Sequence, residues 1–339
     1  MLKILLGKLL KIERKPIDME IKKYAPVLIT TLNRYEHFKR CLDSLERCTG
    51  ADKTDVYVGL DYPPSDRYVD GWKKIDAYLQ EKEAKNGFRN LYVRRRDHNC
   101  GVGKAGSNSS LLYAEIKEIS DSYIATEDDN EFSPCFLEYM NKALAIYKND
   151  ERVICVCGYT PFDYESRDNV YFARQFFAWG YGKWIEKSKS FSKFRNLESM
   201  EKALMSLRAS MRLYWYRPII LSRVMDQVIQ KKKYGDVSHT FYCVLYDKYC
   251  IYPSKTLVRN WGNDGTGVHC KNIDKSFVKR TISQDNTFEL DDIDVSECKE
   301  VKKLVANVAS KKWYGHIAIV LRYLVWRIIK KDIFSVRRA

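Results

Sequence analysis

Residues 122 to 134 read SYIATEDDNEFSP, and three carboxylates, Glu127, Asp128 and Asp129, stand together where an apolar run ends. Adjacent like charges repel, so a buried strand that ends on them loses stability unless something positive meets them. The positive N-terminus of a following helix accounts for one acid near a cap, not for three in a row. A hard cation with oxygen ligands, Mn2+ or Mg2+, answers the charge and keeps positions open for phosphate. Ser133 followed by Pro134 predicts a helix N-cap and first turn. The acids are therefore expected in a short loop between a strand's end and a helix.

Other residues have the types that such a site needs. Asp61 closes the run DVYVGLD, where it can cap the turn before Pro63 and Pro64 or accept a hydrogen bond from a base or ribose. Asp236, in YGDVSHTF, is either a helix N-terminal acid or a general base for an incoming hydroxyl. His269, in the Gly-rich stretch GNDGTGVHC, is either structural or part of a mobile ligand-closing segment. Trp179, Tyr181 and Trp184, in FFAWGYGKW, are either core or a platform on which sugar rings stack. Gly101, Gly103 and Gly106 spell GxGxxG. However, RRRDHN separates them from their strand, and the P-loop pattern fails because Ala105 follows Lys104. A flexible turn with Lys104 near a phosphate fits that stretch better than a dinucleotide fingerprint.

The elements that must position these groups follow from periodicity. Between about 25 and 161, the runs APVLITT, DVYVGLD, LYVRRR, SYIATED and VICVCGY have strand length. Helical stretches from Tyr35 to Cys48, Asp66 to Lys85, Lys104 to Ile119 and Pro134 to Asn149 alternate with them. This alternation predicts an α/β fold with a mostly parallel, doubly wound sheet and helices on both faces. Ligands of such sheets bind beyond the carboxyl ends of the strands. Thr30, Thr31, Asp61 and the three acids all fall on that edge. After 162 the pattern becomes aromatic-rich helices and loops, with the strand-like IYPSKTLVRNWG before the loop NDGTGVHC. It is expected to complete the same domain around a substrate cleft.

Composition bounds the partners. The chain has 339 residues, 45% hydrophobic, and a formal net charge of +15, which points to an anionic partner: nucleic acid, membrane surface or phosphorylated small molecule. Ten cysteines at irregular spacing, without CxxC, read as reduced thiols of a cytosolic protein rather than as disulfides or zinc ligands. No run reaches the ~18 apolar residues of a membrane-spanning helix. Both ends, MLKILLGKLLKIERK and WYGHIAIVLRYLVWRIIKKDIFSVRRA, mix apolar stripes with basic residues, as helices lying in a membrane interface do. The alternative is that they pack on the main domain.

Together these residues resemble a nucleotide-sugar glycosyltransferase of the GT-A fold. More narrowly, they are similar to bacterial family-2-type enzymes related to the N-acetylglucosaminyltransferase that initiates N-glycan branching. VLITTLNRYEHFKRCLDSL, IATEDDNEFSPCFLEYMNKAL and IYPSKTLVRNWGNDGTGVHC carry the resemblance, over about 24 to 270. It implies a basic amphipathic segment at 1–23 and a catalytic domain at 24–270, divided into a nucleotide-sugar half (24–161) and an acceptor half (162–270). A helical, basic-aromatic extension follows at 271–339.

The resemblance also implies an inverting hexosyl- or N-acetylhexosaminyltransferase with a UDP-sugar donor and Mn2+ or Mg2+ as cofactor. Its acceptor would be a glycan or lipid-linked glycan of surface polysaccharide synthesis. Nucleic acid would not be a partner, and the place would be the cytoplasm, peripheral on the inner face of the membrane. By the same resemblance Asp129 and His269 hold the metal and Asp236 is the base. Thr30, Thr31, Asp61, Lys104, Glu127, Asp128 and Trp179 then serve the nucleotide sugar. Relatives often carry Trp before the base where Gly235 stands here, which keeps Asp226 and Asp264 as alternatives. A nicotinamide-dependent oxidoreductase and a basic metal-dependent nucleic-acid protein are the competing readings.

Overall fold

The structure, a computed structural model, describes residues 21, 23–103, 105–265, 280–285, 287–291, 293–308 and 313–329. Lys104, His269 and the N-terminal segment through residue 20 lie outside the described residues.

Eight strands form one mixed sheet in the order β3-β2-β1-β4-β8-β6-β9-β7. β1 (Val27–Thr31), β2 (Asp55–Leu60), β3 (Asn90–Arg95) and β4 (Ser122–Glu127) are parallel to their neighbours within this group. β8 (Tyr181–Trp184) runs antiparallel between β4 and β6 (Val153–Cys157). β9 (Tyr249–Pro253) pairs parallel with β6, and β7 (Val170–Ala173) closes the edge antiparallel to β9. The mostly parallel α/β sheet expected from the alternation is present. Its five expected strands correspond to β1, β2, β3, β4 and β6.

The expected helices appear as α1 (Tyr35–Glu46), α2 (Val69–Ala84), α3 (Asn108–Ile116) and α4 (Phe136–Ile146). α1 buries Phe38, Cys41, Leu42 and Leu45, a 3-1-3 spacing that makes one apolar stripe facing the sheet. α3 lies close on β2: a Cβ at Gly59 would meet Asn108 Oδ1 at 2.3 Å, and Asn108 Nδ2 donates to Gly59 O at 2.7 Å. Only glycine permits that approach.

Two expectations fail here. α4 starts at Phe136, not at Pro134: residues 134 and 135 form a turn, the Ser133 hydroxyl accepts from Cys135 N at 3.4 Å and donates to the carbonyl of Ser283 at 2.6 Å, and Cys135 takes the N-cap position. The stretch after the acids is also more than a loop. Asn130–Phe132 is a strand, β5, paired antiparallel with β10 (Val258–Asn260).

Beyond 162 the aromatic run contains β7 and β8, followed by α5 (Ile185–Ser192), α6 (Leu197–Met205), α7 (Leu207–Tyr216), α8 (Pro218–Gln230) and α9 (Gly235–Tyr246). The later segment adds α10 (Lys299–Asn307) and α11 (Trp313–Ile329). Leu290 and Val295 join the core under β1, β2 and β4, whereas Val301, Val305, Ile319, Tyr323 and Trp326 join the core around β6, β9 and α9. The described part of 271–339 is therefore built into the domain. All nine cysteines among the described residues are free thiols. Sequence spacing hid one grouping: parallel pairing sets Cys250 opposite Cys155, and these two and Cys157 come within 4.8 Å of one another.

Ile29 is fully buried in the central strand β1, so Ile29→Ala is expected to destabilise by about 2–5 kcal/mol in urea unfolding. Ile119→Ala, at a half-exposed position, is expected to change the midpoint little.

Candidate functional site

β1 and β4 are adjacent, and their register sets Thr30 opposite Glu127 at the carboxyl ends of the strands. Asp128 and Asp129 follow in a tight turn, and both are buried. The positive group that meets them in this structure is Arg34, from the turn between β1 and α1. Its Nη2 bridges the pair, 2.5 Å from Asp128 Oδ1 and 2.9 Å from Asp129 Oδ2. Thr31 Oγ1 donates to the other Asp128 oxygen at 2.9 Å. Burial alone would lower the Arg34 pKa, but Asp128 and Asp129 outweigh it and raise the value. In Asp128 the order is reversed: burial pushes the carboxyl up, Arg34 draws it back and Asp129 adds to the rise.

β10 closes the turn from the far side. Asn260 Nδ2 donates to Asp129 Oδ1 at 2.7 Å, and Trp261 N donates to the Asp129 carbonyl at 2.8 Å. Gly262 comes next, and a Cβ there would lie 2.0 Å from Asp129 Oδ2, so the backbone itself packs on the carboxylate. Arg34, Asn260 and Gly262 were not singled out from the sequence. The unbalanced acids were the signal for Arg34, and the N.G spacing in VRNWGND was the signal for the other two.

Glu127 is different. Its side chain is open to solvent, yet the protein around it desolvates its carboxyl. Desolvation, with Asp129 and Asp128 adding to it, pushes its carboxyl up to about 8; Arg34 opposes this, and Asp236 contributes to the rise. That last influence joins two segments more than a hundred residues apart. Asp236 lies in the first turn of α9, half-buried, and its carboxylate meets no donor or cation among the described residues. The alternatives are committed elsewhere: Asp226 pairs with Arg322 at 2.8 Å and Asp264 with His37 at 3.1 Å.

The remaining residues divide. Asp61 is buried at the end of β2, and its oxygens accept from the backbone N–H groups of Tyr62 (2.9 Å), Cys100 (2.8 Å) and Gly101 (3.2 Å). It thereby anchors the glycine loop to the sheet edge. Gly103 and Gly106 have positive φ and open space around them, in a loop following the edge strand β3. No helix packs closely on either glycine, so the loop lacks the glycine-dependent close packing of a dinucleotide fingerprint. Arg94 and Arg95 are paired, with Glu115 and with Asp76 and Glu83, and add little free potential. Trp179 is half-buried with its ring edge-on to Tyr159 at 4.5 Å. Tyr181, opposite Ala125 of β4, lies close enough for Glu127 to raise its pKa. Trp184 belongs to the core, its Nε1 donating to Leu144 O at 2.9 Å. Of the three rings, only Trp179 and Tyr181 keep partial exposure.

The donor set suits a hard cation. Glu127, Asp128 and Asp129 offer only oxygen, each carboxylate oxygen has a further lone pair beyond the bonds named, and three acids against one guanidinium formally leave two negative charges. Arg34 Nη1 is buried and meets no acceptor among the described residues, a donor suited to an anionic oxygen.

No family profile matches the sequence, and no curated protein matches it. Among solved structures, S. aureus TarS residues 1–349 superimposes with a TM-score of 0.36 at 13% identity, over 69% of this chain and 59% of that one. A mannosyltransferase, PcManGT from Pyrobaculum calidifontis, in complex with GDP-Man and Mn2+, gives 0.34 at 14% identity, over 53% and 51%. The bifunctional glycosyltransferase WbbM gives 0.33 at 11%, over 68% and 39%. The chain thus spans less than two thirds of each of these proteins. Similarity at this level assigns neither a family nor an activity.

Arg34→Met leaves the Asp128 and Asp129 carboxylates without their cation, and about 3 kcal/mol of stability is expected to be lost in urea unfolding. Adding Asp128→Asn is expected to cost less than the sum of the two single changes, because the residues share one network.

Proposed function

We propose that this protein is a metal-dependent, inverting glycosyltransferase that moves a sugar from a nucleoside diphosphate donor, UDP-linked, to a hydroxyl of a glycan or lipid-linked glycan. The observation that carries this reading is a difference in how neighbouring acids are held. Two aspartates are fixed by Arg34 and Asn260, while Asp236, near enough to act on Glu127, has no side-chain partner among the described residues. Fixed acids hold; an unpartnered acid is available to accept a proton.

Asp129, with Glu127 and Asp128 beside it, would hold Mn2+ or Mg2+, which neutralises charge on a departing diphosphate. Arg34 keeps Asp128 and Asp129 in place, and its unused Nη1 is a donor for a phosphate oxygen. Thr30 and Thr31 line the same strand end, and Lys104, outside the described residues, belongs to the glycine loop that Asp61 anchors. His269, also outside them, is proposed as a further ligand to the metal. Trp179 and Tyr181 offer aromatic surface to a sugar face.

Asp236 takes the proton from the acceptor hydroxyl as that oxygen bonds to the anomeric carbon. The bond from that carbon to the diphosphate breaks on the opposite face, so the configuration inverts. The alkoxide character that develops is met by one proton acceptor and no covalent intermediate is required. Surface polysaccharide synthesis on the cytoplasmic face of a bacterial membrane is the setting we propose, and nucleic acid is not a partner.

A panel of nucleotide sugars with Mn2+ tests the reading. Metal-dependent binding and slow hydrolysis of one donor are expected. Asp129→Asn should abolish both while the melting temperature stays near that of the wild type. Asp236→Asn should retain donor binding and lower transfer by about 10^2–10^4-fold. A panel that yields no metal-dependent binding overturns the proposal.

A further inference from the structure

We propose that the exposed stripes of α7 and α11 form a docking surface for an anionic lipid bilayer, with both helices lying in the plane of the membrane. The inference deepens the proposed function, since it concerns where a lipid-linked acceptor would be met, but it stands on different residues.

α11 has two apolar faces. Ile319, Tyr323 and Trp326 are buried in the core around α9, and Tyr323 Oη donates to Leu204 O at 2.8 Å. On the opposite side Ile317, Leu321, Leu324 and Ile328 are 50%, 51%, 44% and 79% exposed, at the 4-3-4 spacing of a single stripe. One face is used by the fold, and the other is left over. Leu204 lies in the last turn of α6, and α7 follows after Ser206 with a second stripe: Leu207, Met211 and Trp215, 51%, 54% and 70% exposed at intervals of four. Both α7 and α11 pack against α8. Scattered single apolar residues on a surface need no explanation, but two stripes on helices that both pack on α8 do.

Charge identifies the occupant. LRASMRLYWY and WYGHIAIVLRYLVWRII contain no acid, and α8 contains only Asp226, which Arg322 already pairs. Arg208 next to the α7 stripe, Arg327 flanking the α11 stripe and Arg223 on α8 have no carboxylate partner among the described residues. Unpaired cations beside exposed Trp, Leu and Ile match the headgroup and acyl boundary of a bilayer rich in anionic lipid. A second copy of the chain is a poorer occupant, because it would bring unpaired arginines against each other. No helix among the described residues is long and apolar enough to cross a membrane.

The full chain is sedimented with phosphatidylcholine vesicles with and without phosphatidylglycerol. Binding to the anionic vesicles that weakens with salt is expected, with little binding to the neutral ones. Leu321→Glu with Ile328→Glu should lower that binding by about tenfold or more, as should Trp215→Glu. The milder pair Leu321→Ser with Ile328→Ser should lower it less, and melting temperatures should remain near that of the wild type. Three results overturn the proposal: no binding to anionic vesicles, variants that bind as the wild type does, or a dimer that the same variants dissolve. Hydrolysis of a soluble nucleotide sugar should be unchanged in all these variants. Vesicle binding without nucleotide-sugar binding would therefore sink the transferase reading alone, and the converse would sink the docking surface alone.

Discussion

Like charge at short range is the constraint on which this structure depends. Three consecutive acids at the end of β4 tolerate one another only because Arg34 bridges two of them and Thr31 and Asn260 take further oxygens. These partners come from both sides of the loop, one from the turn after β1 and one from β10. The central parallel strands and the short β5–β10 pairing are thereby tied to a single electrostatic problem. Relief is incomplete, and Glu127 shows it: desolvation, with Asp129 and Asp128 adding to it, pushes its carboxyl up to about 8 although Arg34 opposes the rise.

Much of the scaffold was legible in the sequence, because parallel strands buried on both faces read as continuous apolar runs bounded by turn residues. VLITT and VICVC are such runs, and the Phe38–Leu45 stripe is a plain helical period. What escaped is physically of another kind. β7 and β8 are only four residues long and aromatic, so their composition resembles that of a packed helix, and only their antiparallel partners make them strands. Ser133-Pro134 had the local chemistry of a helix start, but the chain makes one turn there before α4 begins, and the Ser133 hydroxyl also ties that turn to a carbonyl 150 residues away.

For the site, the acids and Asp236 were visible by type, and Asp61 by its place at a strand end. Their states were not. Whether a carboxylate is held, as Asp61 and Asp129 are, or has no side-chain partner among the described residues, as Asp236 has none, depends on contacts that no local spacing encodes. Asn260 and Gly262 act through a donated hydrogen bond and through a missing methyl group, and neither is a residue type that announces chemistry.

The separation of these partners along the chain also sets an order of events during synthesis. Thr31, Arg34 and the acids emerge early, but Asn260 and Gly262 follow Asp129 by more than 130 residues. β8, the strand beside β4, likewise leaves the ribosome long after β4 itself. A nascent chain stopped in its second half therefore holds a partly neutralised acid turn beside an unfinished sheet edge, the kind of edge that invites wrong pairing. The acidic turn reaches its final form only after Asn260 and Gly262 have emerged, so a chain stopped before them cannot complete it.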